Sequence, residues 1–463
     1  MDQNIIKPDS APGAEVPISP YNIQTFGCKV NTYDTGLIYK NLNSYKWTKE
    51  IPESVHILNT CAVTSEATQQ AVREIRRIKA KNPFATIVVT GCAAQVDTGV
   101  FEKLPSVDLI VANSHKGLLP ELIEKYFKKE LSEKTFKSNI FKKEDLETDG
   151  GVEPHHSRSF LKIQDGCNSF CSFCIIPYAR GKSRSIPMAQ LVRRINEIAA
   201  TGVHEVVLTG VHIGDYADET QTEKNKIEDL VEAVLAQTKV NRIRLSSLEP
   251  IELSERLLGL YSNNRLCPHF HMSIQSADTE VLKDMKRHYD EHAVIDALNR
   301  IKNKLPNAFI GIDVIAGFPS ETEAQFENTY KNLAAAPWTR LHVFPYSERQ
   351  GTRAAIMTQV PQHVRKERAK LLRDLSLHRF QSEALKQKDQ VLDSIILKKV
   401  SRGTVALSDN YWPIALSNQA TLPNQASLSG EELCSQFGGQ ERKIHITGFN
   451  PEVGEGVLVG EII

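Results

Sequence analysis

Short β-branched runs alternate with helical patterns through roughly the first 130 residues of the chain. The runs at 21–26, 55–60, 86–91 and 108–113 predict strands, and segments between them, such as 65–81, have the apolar spacing of helices. Parallel βαβ units have this order of elements, so we expect an open, doubly wound α/β sheet.

A cysteine comes at or just after the end of each of the first three predicted strands, as Cys28, Cys61 and Cys92. Ligand sites in parallel sheets lie at the carboxyl ends of the strands, so these thiols are expected to converge at one crevice. A single cysteine in such a place is usually a small buried hydrophobe. Three cysteines in register indicate a metal site.

The alternation resumes at Phe160, after a charged segment at 132–154 that we interpret as a linker or surface excursion because glycine and proline interrupt it. Six further strands are predicted, at 160–164, 205–210, 242–247, 269–275, 308–317 and 341–346. Six βα repeats predict a partial or full αβ barrel with its chemistry on the loops after the strands. From about residue 390 strands continue without helices, which predicts a small five-stranded barrel of OB-like type.

The composition indicates the cellular compartment in which the protein is expected. The 463 residues include 56 basic and 56 acidic side chains, and no apolar run approaches the ~20 residues of a membrane helix. No basic segment followed by an apolar one opens the chain, so we expect no export, no membrane partner and a cytoplasmic location. In a reducing compartment, eight cysteines indicate metal binding or catalysis rather than disulfides.

Positive charge is concentrated in two stretches. Residues 166–196 include five basic and no acidic side chains, and residues 73–81 include five basic and one acidic. Such patches suit an anionic partner such as RNA. No DNA partner is expected. A solvated helix face is an equally good interpretation of either patch alone.

Cys167, Cys171 and Cys174 follow the first strand of the predicted αβ barrel. Thiolates select zinc, copper(I) or iron–sulfur clusters. Zinc would need a fourth ligand, which His155 or His156 could supply. A four-iron cluster on three cysteines would instead keep one iron open.

The C-x3-C-x2-C spacing, with Phe173 before the last cysteine, resembles the radical S-adenosylmethionine (SAM) superfamily. Nine stretches resemble methylthiotransferase motifs and stand in family order: TFGCKVNTYDT, LNTCAVT, VVTGCAAQ, IQDGCNSFCSFCIIPYARGKSRS, VLTGVHIGDY, RLSSLEP, HMSIQSADTEVLKDMKRHY, DVIAGFPSETEAQFENT and LHVFPYSERQGTRAA. GCKVN, IQDGCN and HVFPYSERQGT are most similar to the bacterial tRNA branch that acts on threonylcarbamoyladenosine.

The resemblance implies two [4Fe-4S] clusters. Cys28, Cys61 and Cys92 would hold an auxiliary cluster that carries the sulfur, and Cys167, Cys171 and Cys174 would hold the cluster that binds and cleaves SAM. Two SAM molecules would be used to methylthiolate carbon 2 of the modified adenosine 37 in the tRNA anticodon loop. No catalytic residue beyond the cluster ligands is predicted, and a reduced flavodoxin- or ferredoxin-type protein would donate electrons, with the sulfur source unknown.

Other site residues follow from the same resemblance. Gly210, Gln275 and Ser276 are expected near SAM, and Ala277 and Ser320 stand where the family commonly has glycine. The threonyl carboxylate calls for a cation, because an unpaired desolvated carboxylate is costly. The loops after the first and sixth barrel strands offer four arginines, of which we favour the last two: Arg180, Arg184, Arg349 and Arg353.

The expected organisation has five parts: a disordered tail (1–19), a methylthiotransferase N-terminal domain (20–131), the linker, a radical SAM core (155–389) and a TRAM-like domain (390–463). Three alternatives remain at this point. The same chemistry could act on isopentenyladenosine 37 or on a ribosomal protein, or the chain could be a zinc-stabilised RNA-binding protein without catalysis.

Overall fold

A computed structural model describes residues 21–48, 51, 54–148, 150, 157–220, 226–401, 403–416 and 429–463. The predicted tail, the end of the predicted linker, His155 and His156 lie outside the described residues. The described chain forms two compact units. The first contains the residues up to 150 together with 164–186 and 347–355, and the second contains the others.

A five-stranded sheet is the centre of the first unit. The elements are β1 (Tyr21–Thr25), α1 (Lys29–Ser44), β2 (Val55–Thr60), α2 (Ser65–Lys81), β3 (Thr86–Gly91), α3 (Cys92–Val96), α4 (Thr98–Glu102), β4 (Leu109–Ala112), α5 (Leu119–Lys128) and β5 (Thr135–Phe136). All neighbouring strands are parallel, and they lie in the order β1-β2-β3-β4-β5.

Helices cover both faces of this sheet, as predicted. Successive strand residues point to opposite faces, so Ile57 packs in a cluster with α1 and α5, whereas its neighbour Leu58 packs with α2. Helix α2 begins where predicted because Thr64 Oγ1 accepts a hydrogen bond from the Ala67 amide at 3.1 Å.

The interpretation of 132–154 as a linker is wrong for its described part. The amide of Ile110 in β4 donates to the Lys134 carbonyl at 2.7 Å, and the following residues form strand β5 at the sheet edge. A short 3-10 turn at Ile140–Lys142 then buries Ile140. This segment belongs to the first unit because its backbone and one apolar side chain complete that unit's sheet and core.

The central part of the chain has the six predicted strands and two short additional ones. Its elements are β6 (Ser159–Asp165), α6 (Ile176–Arg180), β7 (Arg184–Ser185), α7 (Met188–Ala200), β8 (Glu205–Gly210), α8 (Ile227–Gln237), β9 (Arg242–Leu245), β10 (Ser247–Leu248), α9 (Glu255–Leu260), β11 (His269–Gln275), α10 (Thr279–Asp284), α11 (Glu291–Lys304), β12 (Phe309–Ala316), α12 (Glu323–Ala335) and β13 (Arg340–Pro345).

In the second unit these strands form two runs, β6-β8-β9 and β10-β11-β12-β13, with only Ser246 between β9 and β10. The pairs β8–β9, β10–β11, β11–β12 and β12–β13 are parallel, as in an incomplete αβ barrel. The expected barrel is therefore present in its partial form. In the first unit, β7 pairs antiparallel with the end of β6.

The rest of the chain contains α13 (Gln362–Leu385), β14 (Val391–Ser401), β15 (Thr404–Ser408), β16 (Pro413–Leu416), α14 (Gly430–Phe437), β17 (Glu441–Asn450) and β18 (Val457–Ile462). The strands close into the small five-stranded barrel predicted from the sequence, in the order β14-β15-β16-β18-β17. Helices α13 and α14 were not among the predicted elements. In the described part of the chain, none of the helices combines the length and apolarity needed to span a membrane.

Candidate functional site

Three cysteines lie at the same edge of the first unit's sheet. The parallel register pairs Thr25 with Asn59 and Asn59 with Thr90, so strands β1, β2 and β3 end at nearly the same level. Cys28 precedes α1, Cys61 follows β2 and Cys92 begins α3. The positions predicted from the strand pattern are thus brought together by the sheet.

Gly27 allows the first two of these loops to approach each other. Its φ of +97° lies in a region that side chains with a Cβ rarely adopt, and a Cβ there would be 2.6 Å from the Cys61 Sγ. Any larger residue would collide with the thiol itself, so glycine before Cys28 is needed for the three thiols to converge.

Two asparagines surround the Cys92 thiol, and the sequence did not single out either. The Asn31 side-chain amide donates to the carbonyls of Phe26 and Thr60 at 2.8 and 3.0 Å, while its Oδ1 lies 3.9 Å from the Cys92 Sγ. The Asn113 Nδ2 approaches the same sulfur at 3.6 Å. Asn31 is the last residue of the GCKVN stretch, so that motif could have identified it as a site residue.

Burial makes these thiols poor acids on their own. Burial, followed by the charges that Cys28 and Cys92 would carry as thiolates, raises the pKa of Cys61 to about 12. Solvent reaches the Cys28 side chain, yet the protein atoms crowded around it also raise the pKa of its thiol. A soft multivalent cation offsets the repulsion between three adjacent thiolates, so the donor set fits an iron–sulfur cluster.

Arg180 is a buried guanidinium beside this thiol group. Its Nη1 donates to both carboxylate oxygens of Asp165 at 2.9 and 3.1 Å, and its Nη2 donates to Asn31 Oδ1 at 2.6 Å and Asp34 Oδ2 at 3.0 Å. Burial alone would lower the pKa of Arg180, but negative charge on Asp165, Cys92 and other neighbours raises it well above its usual value. Arg180 therefore stays charged next to the cysteines.

The other three cysteines lie in the loop between β6 and α6 of the first unit. Gly166 opens this loop with φ +77°, and a Cβ there would be 2.0 Å from the Lys182 carbonyl oxygen. The Cys167 amide donates to the Gly181 carbonyl at 3.2 Å, and the Cys174 amide donates to the Cys171 carbonyl at 3.0 Å. The Ser169 amide points at the Cys167 sulfur, 3.4 Å away, where it can stabilise a thiolate.

Comparison with known proteins decides the family. The Radical SAM superfamily profile matches residues 161–333, and the profile described as Uncharacterized protein family UPF0004 matches 20–112. A threonylcarbamoyladenosine tRNA methylthiotransferase MtaB of Rickettsia prowazekii is 37% identical over 89% of this chain and 95% of its own length. An MtaB protein of Aquifex aeolicus is 34% identical over 84% of this chain and 95% of its own length. A tRNA-2-methylthio-N(6)-dimethylallyladenosine synthase of Staphylococcus epidermidis is 32% identical over 76% and 70% respectively.

The chain belongs to the MtaB-type radical SAM tRNA methylthiotransferases. It is a transferase that acts on tRNA and uses SAM with a [4Fe-4S] cluster. This membership argues against the alternative of a zinc-stabilised RNA-binding protein without catalysis.

The residues expected near SAM lie in the second unit, at the carboxyl ends of their strands. Gly210 is the last residue of β8, and Gln275 ends β11 with a left-handed φ of +67°. Ser276 is buried, and its hydroxyl lies 3.1 Å from Thr329 Oγ1 and accepts from the Asp278 amide at 3.2 Å. Of the two positions where the family commonly has glycine, Ser320 has a positive φ, of +67°, whereas Ala277 does not.

The four arginines proposed for carboxylate recognition have different surroundings. Arg184 donates to the carbonyls of Lys143 and Asp145, at 2.9 and 3.2 Å. Arg349 is buried, and its Nη2 pairs with Asp97 Oδ2 at 2.7 Å. The guanidiniums of Arg180, Arg184 and Arg349 thus all donate hydrogen bonds to other residues of the first unit.

Arg353 differs from the other three. It is exposed at the start of a short 3-10 helix, Arg353–Ile356, and no ion pair to it is found within the described ranges. Of the four predicted arginines, it has the guanidinium most available to an external ligand.

Proposed function

We propose that this enzyme methylthiolates carbon 2 of N6-threonylcarbamoyladenosine at position 37 of tRNA, with two [4Fe-4S] clusters and two SAM molecules. One observation carries the proposal. The chain has two separate sets of three cysteines and is 37% identical to a threonylcarbamoyladenosine tRNA methylthiotransferase MtaB. Either set leaves a coordination position of a four-iron cluster free for another ligand.

The cysteines after β1, β2 and β3 would hold the auxiliary cluster, and those between β6 and α6 would hold the SAM-binding cluster. When bound, the second cluster supplies the electron for reductive cleavage of SAM. The protein's own residues stabilise the anionic sites: Arg180 places a permanent positive charge beside Cys92, and the Ser169 amide points to the Cys167 sulfur. The small C-terminal barrel would act as a TRAM-like RNA-contacting domain.

The threonylcarbamoyl substrate is favoured over isopentenyladenosine. An MtaB protein matches at 37% identity over 89% of the chain, against 32% over 76% for a dimethylallyladenosine synthase. The motifs GCKVN and HVFPYSERQGT also favour it over a ribosomal-protein substrate. We propose a cytoplasmic location and a reduced flavodoxin- or ferredoxin-type donor, in line with this function.

Nucleoside mass spectrometry of tRNA tests the substrate. A strain lacking the gene should lose 2-methylthio-threonylcarbamoyladenosine and accumulate threonylcarbamoyladenosine, and the wild-type gene should restore the modification. Loss of the 2-methylthio derivative of isopentenyladenosine instead would contradict the proposed substrate.

Two triple-cysteine variants test the assignment of the clusters. Replacing Cys28, Cys61 and Cys92 with Ala should leave reductive SAM cleavage intact but abolish thiolation, and iron should fall from about eight to about four per chain. Replacing Cys167, Cys171 and Cys174 should abolish formation of 5′-deoxyadenosine. Cys434→Ala, at a buried thiol of the C-terminal part, is the control and should keep both activities. Normal methylthiolation by the first variant would contradict the auxiliary cluster.

We propose that Arg353 binds the threonyl carboxylate. A charged hydrogen bond of this kind contributes about 1.5–3 kcal/mol, so Arg353→Ala should weaken binding of threonylcarbamoylated tRNA about 10- to 150-fold. The same tRNA without that group should bind both proteins equally well. Arg193→Ala is the control, since Arg193 is 70% exposed and paired on its own helix with Glu197. Equal losses with both tRNAs would mean that Arg353 contacts a phosphate.

A further inference from the structure

Three aromatic rings form an exposed cluster on the first unit. The ring centroids of Phe141 and Phe170 are 6.1 Å apart, those of Phe141 and Tyr178 are 5.9 Å apart, and those of Phe170 and Tyr178 are 6.1 Å apart. Phe170 is 39% exposed and Tyr178 is 42% exposed. Phe141 is partly buried. Large rings in mutual contact are usually buried, so a group in which two of three rings are exposed marks a binding surface.

This aromatic cluster is built around the second cysteine loop. Phe170 lies between Cys167 and Cys171, and Tyr178 lies on α6, four residues after Cys174. Phe141 comes from the 3-10 turn at Ile140–Lys142, within the segment that looked like a linker. Residues from three separate stretches are thus assembled at the one loop that would hold the SAM-binding cluster.

Phe170 adopts an unfavourable backbone conformation in this cluster. Its φ is +45°, in the left-handed region that bulky residues rarely occupy. Such strain is usually found at ligand sites, where the surrounding structure maintains it. Burial of the ring does not offset this backbone strain, because the ring is 39% exposed. A ligand therefore explains the orientation of the ring toward solvent better than packing does.

Two exposed lysines lie on the segments that carry the rings or next to them. Lys142 is exposed and follows Phe141 directly. Lys182 is also exposed, and it lies beside the cysteine loop because the next residue, Ser183, donates its amide to Asn168 Oδ1 at 3.1 Å. Exposed aromatic rings combined with positive charge are characteristic of surfaces that bind single-stranded nucleic acid, where bases stack on rings and cations meet phosphates.

We infer that the aromatic cluster of Phe141, Phe170 and Tyr178 stacks against an unpaired base of the tRNA anticodon loop. The inference rests on the proposed function, which supplies tRNA as the partner. It adds that this surface holds the anticodon loop next to the base that reacts. A stable protein partner would need about 1,600 Å² of buried surface. Three rings with exposed lysines on adjoining segments match the size and charge of a nucleobase with its phosphates better.

The test is fluorescence-anisotropy binding of an anticodon stem–loop RNA to the full-length enzyme with reconstituted clusters. Tyr178→Leu should weaken binding about 5- to 150-fold, the range expected for loss of one base–aromatic stack. Tyr178→Phe retains the ring and should bind like the wild type. Phe141→Leu, in a different segment, should reproduce the loss, which guards against a folding defect in either variant.

Phe84→Leu is the matched control. Phe84 is 90% exposed, but it lies just before β3, whereas Cys92 lies just after it. A six-residue strand separates them by about 20 Å, so this ring is at the opposite edge of the sheet. Its replacement should leave RNA binding unchanged.

Abasic RNAs separate stacking from other contacts. In a series with one loop nucleotide at a time replaced by an abasic site, the loss caused by Tyr178→Leu should disappear for the nucleotide that stacks. Equal losses across the whole series, or wild-type binding by both leucine variants, would overturn the inference. So would leucine variants that bind RNA normally but are reduced more slowly by flavodoxin, because the surface would then serve the electron donor.

The binding assay also distinguishes this inference from the proposed substrate. The stacking loss should be the same for stem–loops with and without the threonylcarbamoyl group. If the nucleoside analysis identified a different modified adenosine, the loss caused by Tyr178→Leu should still disappear at one abasic position. If that effect were absent while threonylcarbamoyladenosine was methylthiolated, the inference about the aromatic cluster would fail and the proposed function would stand.

Discussion

At the scale of single residues, the chemistry of an arginine depends on what surrounds it. The sequence offered four arginines, with the last two favoured: Arg180, Arg184, Arg349 and Arg353. Only Arg353 is both exposed and without an ion pair among the described residues. Arg180 instead links three acceptors from separate elements, on α1 and at the end of β6. A cation that organises the cysteine edge is therefore easily mistaken for one that binds substrate.

Replacing Arg180 with Ala should destabilise the first unit. Removing one partner of a buried ion pair typically costs about 3–5 kcal/mol, because the other charge stays buried. Lys116 remains 2.9 Å from Asp34, so we expect the lower end of that range. Hydrogen exchange of peptides from α1 and β6 would measure the change. Arg193→Ala should stay within about 0.5 kcal/mol, and a similarly small effect of Arg180→Ala would contradict a structural role.

Ser320 occupies a backbone conformation suited to glycine. Its φ is +67°, its side chain is exposed, and its amide donates to the Thr358 carbonyl at 2.9 Å. Ser320→Gly relieves about 1–2 kcal/mol of left-handed strain and gives back about 0.5–1 kcal/mol of chain entropy, so the protein should gain about 0.5–1 kcal/mol. Thermal unfolding would measure this. Ser262→Gly, exposed and without a positive φ, should be destabilising instead.

At the scale of elements, helix α2 shows that a basic stretch can be partly neutralised by its own fold. Arg73 pairs with Glu66 at 2.5 Å, Arg77 pairs with Glu74, and Lys79 pairs with Asp108 at 3.3 Å. Arg76 and Lys81 are exposed, and no ion pair to either is found in the described part of the chain. The effective charge offered to RNA is thus smaller than the sequence indicates.

The salt dependence of tRNA binding should reflect those two free cations. Each phosphate contact contributes about 0.7–0.9 to the slope of log K against log salt, so Arg76→Ala with Lys81→Ala should flatten the slope by about 1–2. The Arg76/Arg77/Lys79 triple Ala variant should flatten it by only about 1, since two of its residues are paired. Arg73→Ala is the control. An unchanged slope in the double variant would show that this helix face is merely solvated.

At the scale of the molecule, the C-terminal barrel packs onto the αβ barrel within the second unit. The Tyr411 ring stacks on His269 with centroids 4.0 Å apart, and Arg244 lies over the same ring at 5.1 Å. Arg244 also donates to Glu205 at 2.8 Å and to the Asp409 carbonyl at 2.8 Å. The two barrels therefore share one buried charge centre and are expected to unfold together.

Acid should weaken this centre in a defined pH range. Burial alone would raise the pKa of Glu205, but Arg244 and Arg158 lower it to about 2, from 4.5 in an unfolded chain. A carboxyl group with a lowered folded pKa stabilises the protein above its unfolded pKa, so this contribution, of about 3 kcal/mol, should be lost as the pH falls from 4.5 to 2.

Urea unfolding of the cluster-free protein at several pH values measures this contribution. Glu205→Gln leaves two arginines without their carboxylate, so it should be less stable at pH 7, and its stability should change less than that of the wild type between pH 4.5 and 2. Glu219→Gln, at an exposed position, should follow the wild-type curve. Parallel curves for Glu205→Gln and the wild type would contradict the lowered pKa.

The sequence by itself determined the order and type of most elements and the placement of the cysteines. Hydrophobic periodicity is a local property, so it located the strands of both barrels and helix α2 without knowledge of their neighbours. Parallel strands end at a common edge, and this rule was enough to bring Cys28, Cys61 and Cys92 together. Family motifs then supplied the chemistry.

Only the tertiary structure decided which charged side chains are paired within the protein and which are available to a ligand. Asp34 and Arg180 lie 146 residues apart in the chain, and Arg349 and Asp97 lie 252 apart, so no local pattern could pair them. The edge strand at Thr135–Phe136 has two residues, too short for a period, and its pairing with β4 makes it a strand. Phe141 joins Phe170 and Tyr178 for the same reason: packing depends on distance in space, which the order of residues does not contain.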